Sequence, residues 1–148
     1  MLQKLLNNKL TIIQLIFLIG LLTLVRILEN ELFYDPFLDF FKNESASIYP
    51  EIESINLFLS LFLRYFVNAI ISLVILYVIF KDLNLIRFSL ILYVLIFVLL
   101  MILFYIVLNF FDESHKTTLF YIRRFIIQPI FILLFIPAFY FQKETEKK

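Results

Sequence analysis

Arg64, Asn68, Arg123, Arg124 and Gln128 are the residues whose type and spacing offer chemistry, because each stands in a run that is otherwise hydrocarbon. A guanidinium keeps its charge in any protein environment and presents five donors in a planar fork, which suits it to gripping a carboxylate or a phosphate. The stretch RRFIIQPI (123–130) opens on two such groups and brings a glutamine and a proline within six residues. Upstream, Asn56, Ser60, Arg64, Asn68 and Ser72 recur every four residues. At 3.6 residues per turn this spacing draws a slowly winding polar stripe along one side of a helix, a side that must face protein or a water-filled cleft rather than lipid. Arg124 and Gln128 repeat the separation of Arg64 and Asn68, and RYFVNAIISLVIL (64–76) loosely matches RFIIQPIFILLFI (124–136). The match suggests a weak internal duplication of a helical hairpin.

Other chemistries find little support. The chain has no cysteine, which removes disulfides, thiol nucleophiles and thiolate metal sites together. Its one histidine, His115, stands in the loop DESHKTT beside Asp112 and Glu113, without a second imidazole or a recognisable ligand spacing, so no metal or cofactor is expected. The single glycine, Gly20, excludes a phosphate-cradling loop and a GxxxG pairing face, although Ser60, Ala69, Ser72 and Ser89 still let helices approach. No G-x-S-x-G, Walker or H-E-x-x-H pattern occurs, and no catalytic residue is assigned. The net charge of +1, without a basic patch, gives no reason to expect a nucleic-acid partner.

The elements that must position these groups are membrane helices. Apolar residues make up 63% of the chain, 20 of its 148 residues are phenylalanine, and the mean hydropathy is +0.98, more than a water-soluble core of this size can hide. Runs at 10–28, 55–80, 85–111 and 119–141 each reach the roughly 20 residues that cross about 30 Å of hydrocarbon as a helix. The fold class expected is an all-α integral membrane four-helix bundle, one domain over residues 1–148, with outer loops at 29–54 and 112–118 and a short tail at 142–148. The first run reads as an uncleaved signal anchor, because no small-residue cleavage pattern follows it. Lys4, Lys9, Lys81, Arg87, Lys143, Lys147 and Lys148 fall on one side of this path, against Lys42 and Lys116 in the loops on the other. The distribution places both termini in the cytoplasm of a bacterial inner membrane.

With that topology, Arg26, Arg64, Arg123 and Arg124 converge on the outer leaflet. A charge near mid-span costs about 2.5–3.5 kcal/mol, so partners are expected for Arg64 above all, while Arg123 and Arg124 have the option of snorkelling to phosphates. The candidate counter-ions are Glu29, Glu31, Asp35 and Asp39 of the first outer loop and Asp112 and Glu113 after the third helix. Arg26, Arg64, Asn68, Arg123, Arg124 and Gln128 form the candidate ligand- or partner-binding set, with membrane lipid as one partner class. Within the loop, Asp35-Pro36 is a good helix start, and FLDFFK (37–42) reads either as a short interfacial helix with its aromatics in the headgroup layer or as a loop packed over the helix ends. Tyr49-Pro50 reads as the opening of the second span, and Pro129 and Pro137 as bends in the fourth.

LFYDPFLDFFK (32–42), LFLRYFVNAIISL (61–73) and YIRRFIIQPIFILLFIPAFYFQ (121–142) resemble the small membrane protein associated with the exosortase F system of Bacteroidetes, flavobacteria in particular. The resemblance runs over essentially the whole chain. It implies an inner-membrane accessory encoded beside an exosortase, an enzyme that processes C-terminal sorting tags, with the exosortase or a substrate's sorting segment as partner. It carries over no catalytic residue, because exosortases act through a cysteine. The alternative reading is a small intramembrane enzyme or transporter of an anionic lipid or solute, with His115 or an outer carboxylate as proton carrier.

Overall fold

The computed structural model describes residues 8–42, 54–110, 116–128 and 130–145. Their regular structure is helical: α1 Lys9–Ile27, α2 Glu29–Leu32, α3 Phe37–Lys42, α4 Ser54–Phe80, α5 Leu83–Phe110, α6 Lys116–Ile127 and α7 Ile130–Thr145. Three of these, α1, α4 and α5, are long and apolar enough to cross a membrane, which marks the chain as a membrane protein. They match the runs at 10–28, 55–80 and 85–111 to within two residues. The fourth run is divided, since α6 and α7 pass the same test only as a pair and meet at 61°.

The break has a chemical cause in the sequence. A proline at 129 has no N–H to offer and disfavours helix in the residue before it. The last bond of α6 is therefore Gln128 N–H to the Arg124 carbonyl at 3.1 Å, and Ile130 N–H closes a tight turn on the Gln128 carbonyl at 2.8 Å. Pro129 itself lies outside the described residues, as do Tyr49 and Pro50. Pro137 lies inside α7, which runs through it.

Packing converges on α4, which lies against α1, α5, α6 and α7. Hydrocarbon contacts give helices no advantage over lipid tails, so association in a membrane relies on close van der Waals fit and on polar contacts. Both are present. Ser60, Ala69, Ser72 and Ser89 are all buried where small side chains let backbones approach, and the Ser89 hydroxyl returns its proton to the Leu85 carbonyl at 2.8 Å. Leu57, Leu61, Leu76, Phe104 and Leu119 fill the fully buried centre. By contrast, α1 buries only Thr11, and α5 presents Ile91, Val94, Leu95, Val98 and Ile102 outward, the pattern of faces solvated by acyl chains.

The FLDFFK segment combines its two expected forms: it is a short helix, and it packs onto its neighbours. Helix α3 starts at Phe37, and its rings turn inward rather than out to a headgroup layer. Phe37 meets Phe104 of α5 edge-on at 6.2 Å, Phe41 meets Phe120 of α6 at 5.2 Å, and Lys116 sits 4.4 Å over the Phe40 ring. This aromatic plug fixes the loop that follows α1 onto α5 and α6.

Candidate functional site

The polar stripe of α4 is buried over most of its length. Ser60, Arg64, Asn68 and Ser72 are inside, whereas Asn56 is exposed. Arg64 lies ten residues after Ser54, about 15 Å along the helix at 1.5 Å per residue, and only 1% of it is accessible. Such a charge requires close partners, and the chain supplies two from the segment between α1 and α3. Arg64 Nη2 donates to Glu29 Oε2, and its Nη1 stands 3.5 Å from Asp35 Oδ2. Glu29 also accepts from Arg26 Nη1 at 2.6 Å, and Asp35 receives the fork of Arg123, Nε at 3.0 Å together with Nη2.

The result is a chain of alternating charge, Arg26, Glu29, Arg64, Asp35, Arg123, joining α1, α4 and α6 through α2 and the loop after it. Its members are three guanidinium groups and two carboxylates, leaving a surplus of one positive charge. The rings of Phe33 and Phe41 lie 5.7 Å from the Arg64 and Arg123 carbons respectively, so aromatic faces cover the cations where carboxylates do not. One donor is left over: Nη1 of Arg64 is buried without a hydrogen bond. Beneath the cluster, the Asn68 amide donates to the Ile127 carbonyl at 2.9 Å, a carbonyl at the end of α6 where the helix break removes the usual donor.

Of the six residues expected to form the set, Arg26, Arg64, Asn68 and Arg123 come together. Arg124 does not. Consecutive helical residues are about 100° apart, so burying Arg123 turns Arg124 outward, where it donates from Nε to Gln128 Oε1 at 3.1 Å on an exposed face. Arg123, which had the option of snorkelling, is instead 3% accessible. The sequence match that equated Arg124 with Arg64 therefore does not correspond to equivalent surroundings. Among the proposed counter-ions, Glu29 and Asp35 are engaged and Glu31 is exposed. The Asp39 side chain, Asp112, Glu113 and His115 lie outside the described residues.

A trough of about 580 Å³ opens beside the cluster, between α1, α4 and α7. Arg26, Arg64, Asn68 and Gln128 stand among its lining residues, and the remainder are aliphatic. Comparison with family models, with curated proteins and with solved structures returned no match to this chain. The chemistry must therefore be read from the site itself. It can hold an anion, since it combines surplus positive charge with the half-exposed Arg26 guanidinium at the trough. Among the described residues no group of His, Cys, Asp and Glu has a metal-binding arrangement.

Sequence reasoning missed the trough and the two aromatic covers. The wall residues, such as Leu15, Ile19 and Ile75, carry the same hydropathy as lipid-facing ones, so nothing local distinguishes them. Phe33 and Phe41 were visible as loop aromatics, but their position against guanidinium groups depends on how the loop returns.

Proposed function

We propose that the chain is a non-catalytic accessory of a bacterial inner membrane, part of an exosortase-type protein-sorting system. In this reading it forms a four-span bundle, with α6 and α7 as one bent span and both termini cytoplasmic. Its arginine cluster then stands in the outer leaflet and engages an anionic group of a partner, either the exosortase, a sorting segment or a lipid headgroup. The observation that carries the reading is the Arg64 guanidinium, buried between Glu29 and Asp35 in a cluster that keeps one more cation than carboxylates beside an open trough. A purely structural ion cluster has reason to balance its charges. The sequence resemblance supports the sorting context. The concentration of carboxylates in residues 29–54, against basic residues at the α4–α5 turn and near the end of α7, supports the orientation.

The test is co-purification from native membranes. The tagged wild-type chain should carry the exosortase with it and show no turnover alone. Arg26→Ala, a change at a side chain that is half exposed, should lower the recovered enzyme several-fold and impair sorting. Full recovery and normal sorting in both Arg26→Ala and Arg64→Ala would overturn the proposal.

A further inference from the structure

We infer that the trough between α1, α4 and α7 is a site for one anionic phospholipid, with its phosphate on Arg26, beside Arg64, and one acyl chain along the aliphatic wall. This deepens the reading of the cluster as an anion-engaging site and rests on it.

Three observations converge on this occupant. The lining runs from Arg26 back to Leu15 on α1 and from Arg64 forward to Ile79 on α4, about 16 and 22 Å at 1.5 Å per residue. A polar mouth is thus continuous with a long apolar channel, the outline of a headgroup followed by a chain. The wall contains isoleucine, leucine and valine and no aromatic residue, a surface that accommodates a flexible chain. The available volume of about 580 Å³ falls within the range of about 300–1,000 Å³ common for small-ligand sites.

Charge selects the headgroup. The cluster carries one unbalanced positive charge, and Arg124 stands one hydrogen bond from the mouth through Gln128. A phosphodiester bearing a neutral polar headgroup neutralises that surplus, and its oxygens supply acceptors for Arg26, whose side chain is half exposed. A zwitterionic headgroup brings an ammonium to the same place and forfeits part of the gain.

Native mass spectrometry of the full chain in detergent micelles, titrated with phosphatidylglycerol or with phosphatidylcholine, tests this. Phosphatidylglycerol should bind about tenfold more tightly, the scale of one charge-assisted hydrogen bond. Arg26→Gln should reduce that preference to about twofold. Ile19→Trp and Leu133→Trp, at wall positions that are 56% and 69% accessible and so tolerate bulk, should weaken both lipids while leaving the arginines in place. Leu95→Trp, on the outward face of α5, should change neither. Equal affinity for the two lipids, an undiminished preference in Arg26→Gln, or displacement of phosphatidylglycerol by inorganic phosphate at equal concentration would each overturn the lipid site. Loss of the lipid preference alongside arginine-dependent recovery of the exosortase would overturn this inference alone. An intact preference with no protein partner recovered would overturn the accessory reading alone.

Discussion

Helix α4 carries ion pairs near both of its ends, and the two differ in almost every respect that sets their worth. Toward its start, Arg64 shares Glu29 and Asp35 with Arg26 and Arg123, and the side chains of Arg64, Asp35 and Arg123 are at most 4% accessible. At its end, Lys143 of α7 donates to the Phe80 carbonyl at 3.0 Å and lies 3.2 Å from Asp82, with both side chains partly in solvent. The second contact is a helix cap. Lys143 satisfies a carbonyl that α4 leaves free, and Asp82 accepts from the Asn84 N–H at 3.0 Å to start α5. The turn between them is tight enough to put Lys81 at φ 50, in the left-handed region. Like chemistry therefore serves two purposes. In low dielectric it makes each charge depend on its partner, so the loop that follows α1 cannot leave without stranding cations; near water it adds a small increment to a turn already fixed by the chain.

The largest test of this difference is Asp35→Ala. It removes the acceptor of Arg123 and the second partner of Arg64, and breaking a buried pair by removing one partner costs about 3–5 kcal/mol. Denaturant titration in detergent should show a loss of that order, or no folded protein; a loss below about 1 kcal/mol would mean that water reaches the cluster freely. Lys143→Met should cost at most about 1 kcal/mol and lose even that at high ionic strength. A larger, salt-insensitive cost would erase the contrast between the two ends. The smallest effect concerns pH. The hydrogen bond from Lys143, with lesser help from the Asn84 N–H, holds the Asp82 carboxyl below its ordinary range. A depressed carboxylate contributes stability above its unfolded-state value, about pH 4, and loses it as pH falls through the lower folded value. Wild type and Asp82→Asn should thus differ at pH 6 and converge as the medium is acidified below about pH 4, as followed by thermal unfolding. A difference that persists unchanged at low pH would remove Asp82 from the cap.

Much of this was legible in residue types alone. The four-residue spacing from Ser60 to Ser72 marked the inward face of α4, and the cost of an unpaired guanidinium demanded partners for Arg64. The run of apolar residues fixed three spans almost to the residue. Less legible was which neighbour of a pair would turn inward: Arg123 and Arg124 have the same composition and nearly the same flanks, and only the rotation of α6 against α4 separates them. The FLDFFK segment was compatible with a headgroup-facing helix and with a loop packed over the helix ends, because aromatic side chains suit both environments. Its contact with Phe104 and Phe120 settles the matter through neighbours distant in sequence.

Sequence by itself determined the solvent, the three long apolar helices and the need to compensate charge within them, because hydropathy and desolvation are sums over residues close in the chain. Tertiary structure alone decided which charges meet. The pairs Arg64–Glu29 and Arg123–Asp35 are 35 and 88 residues apart, and their formation depends on helix rotation and loop return, quantities to which no local pattern of apolar residues is sensitive.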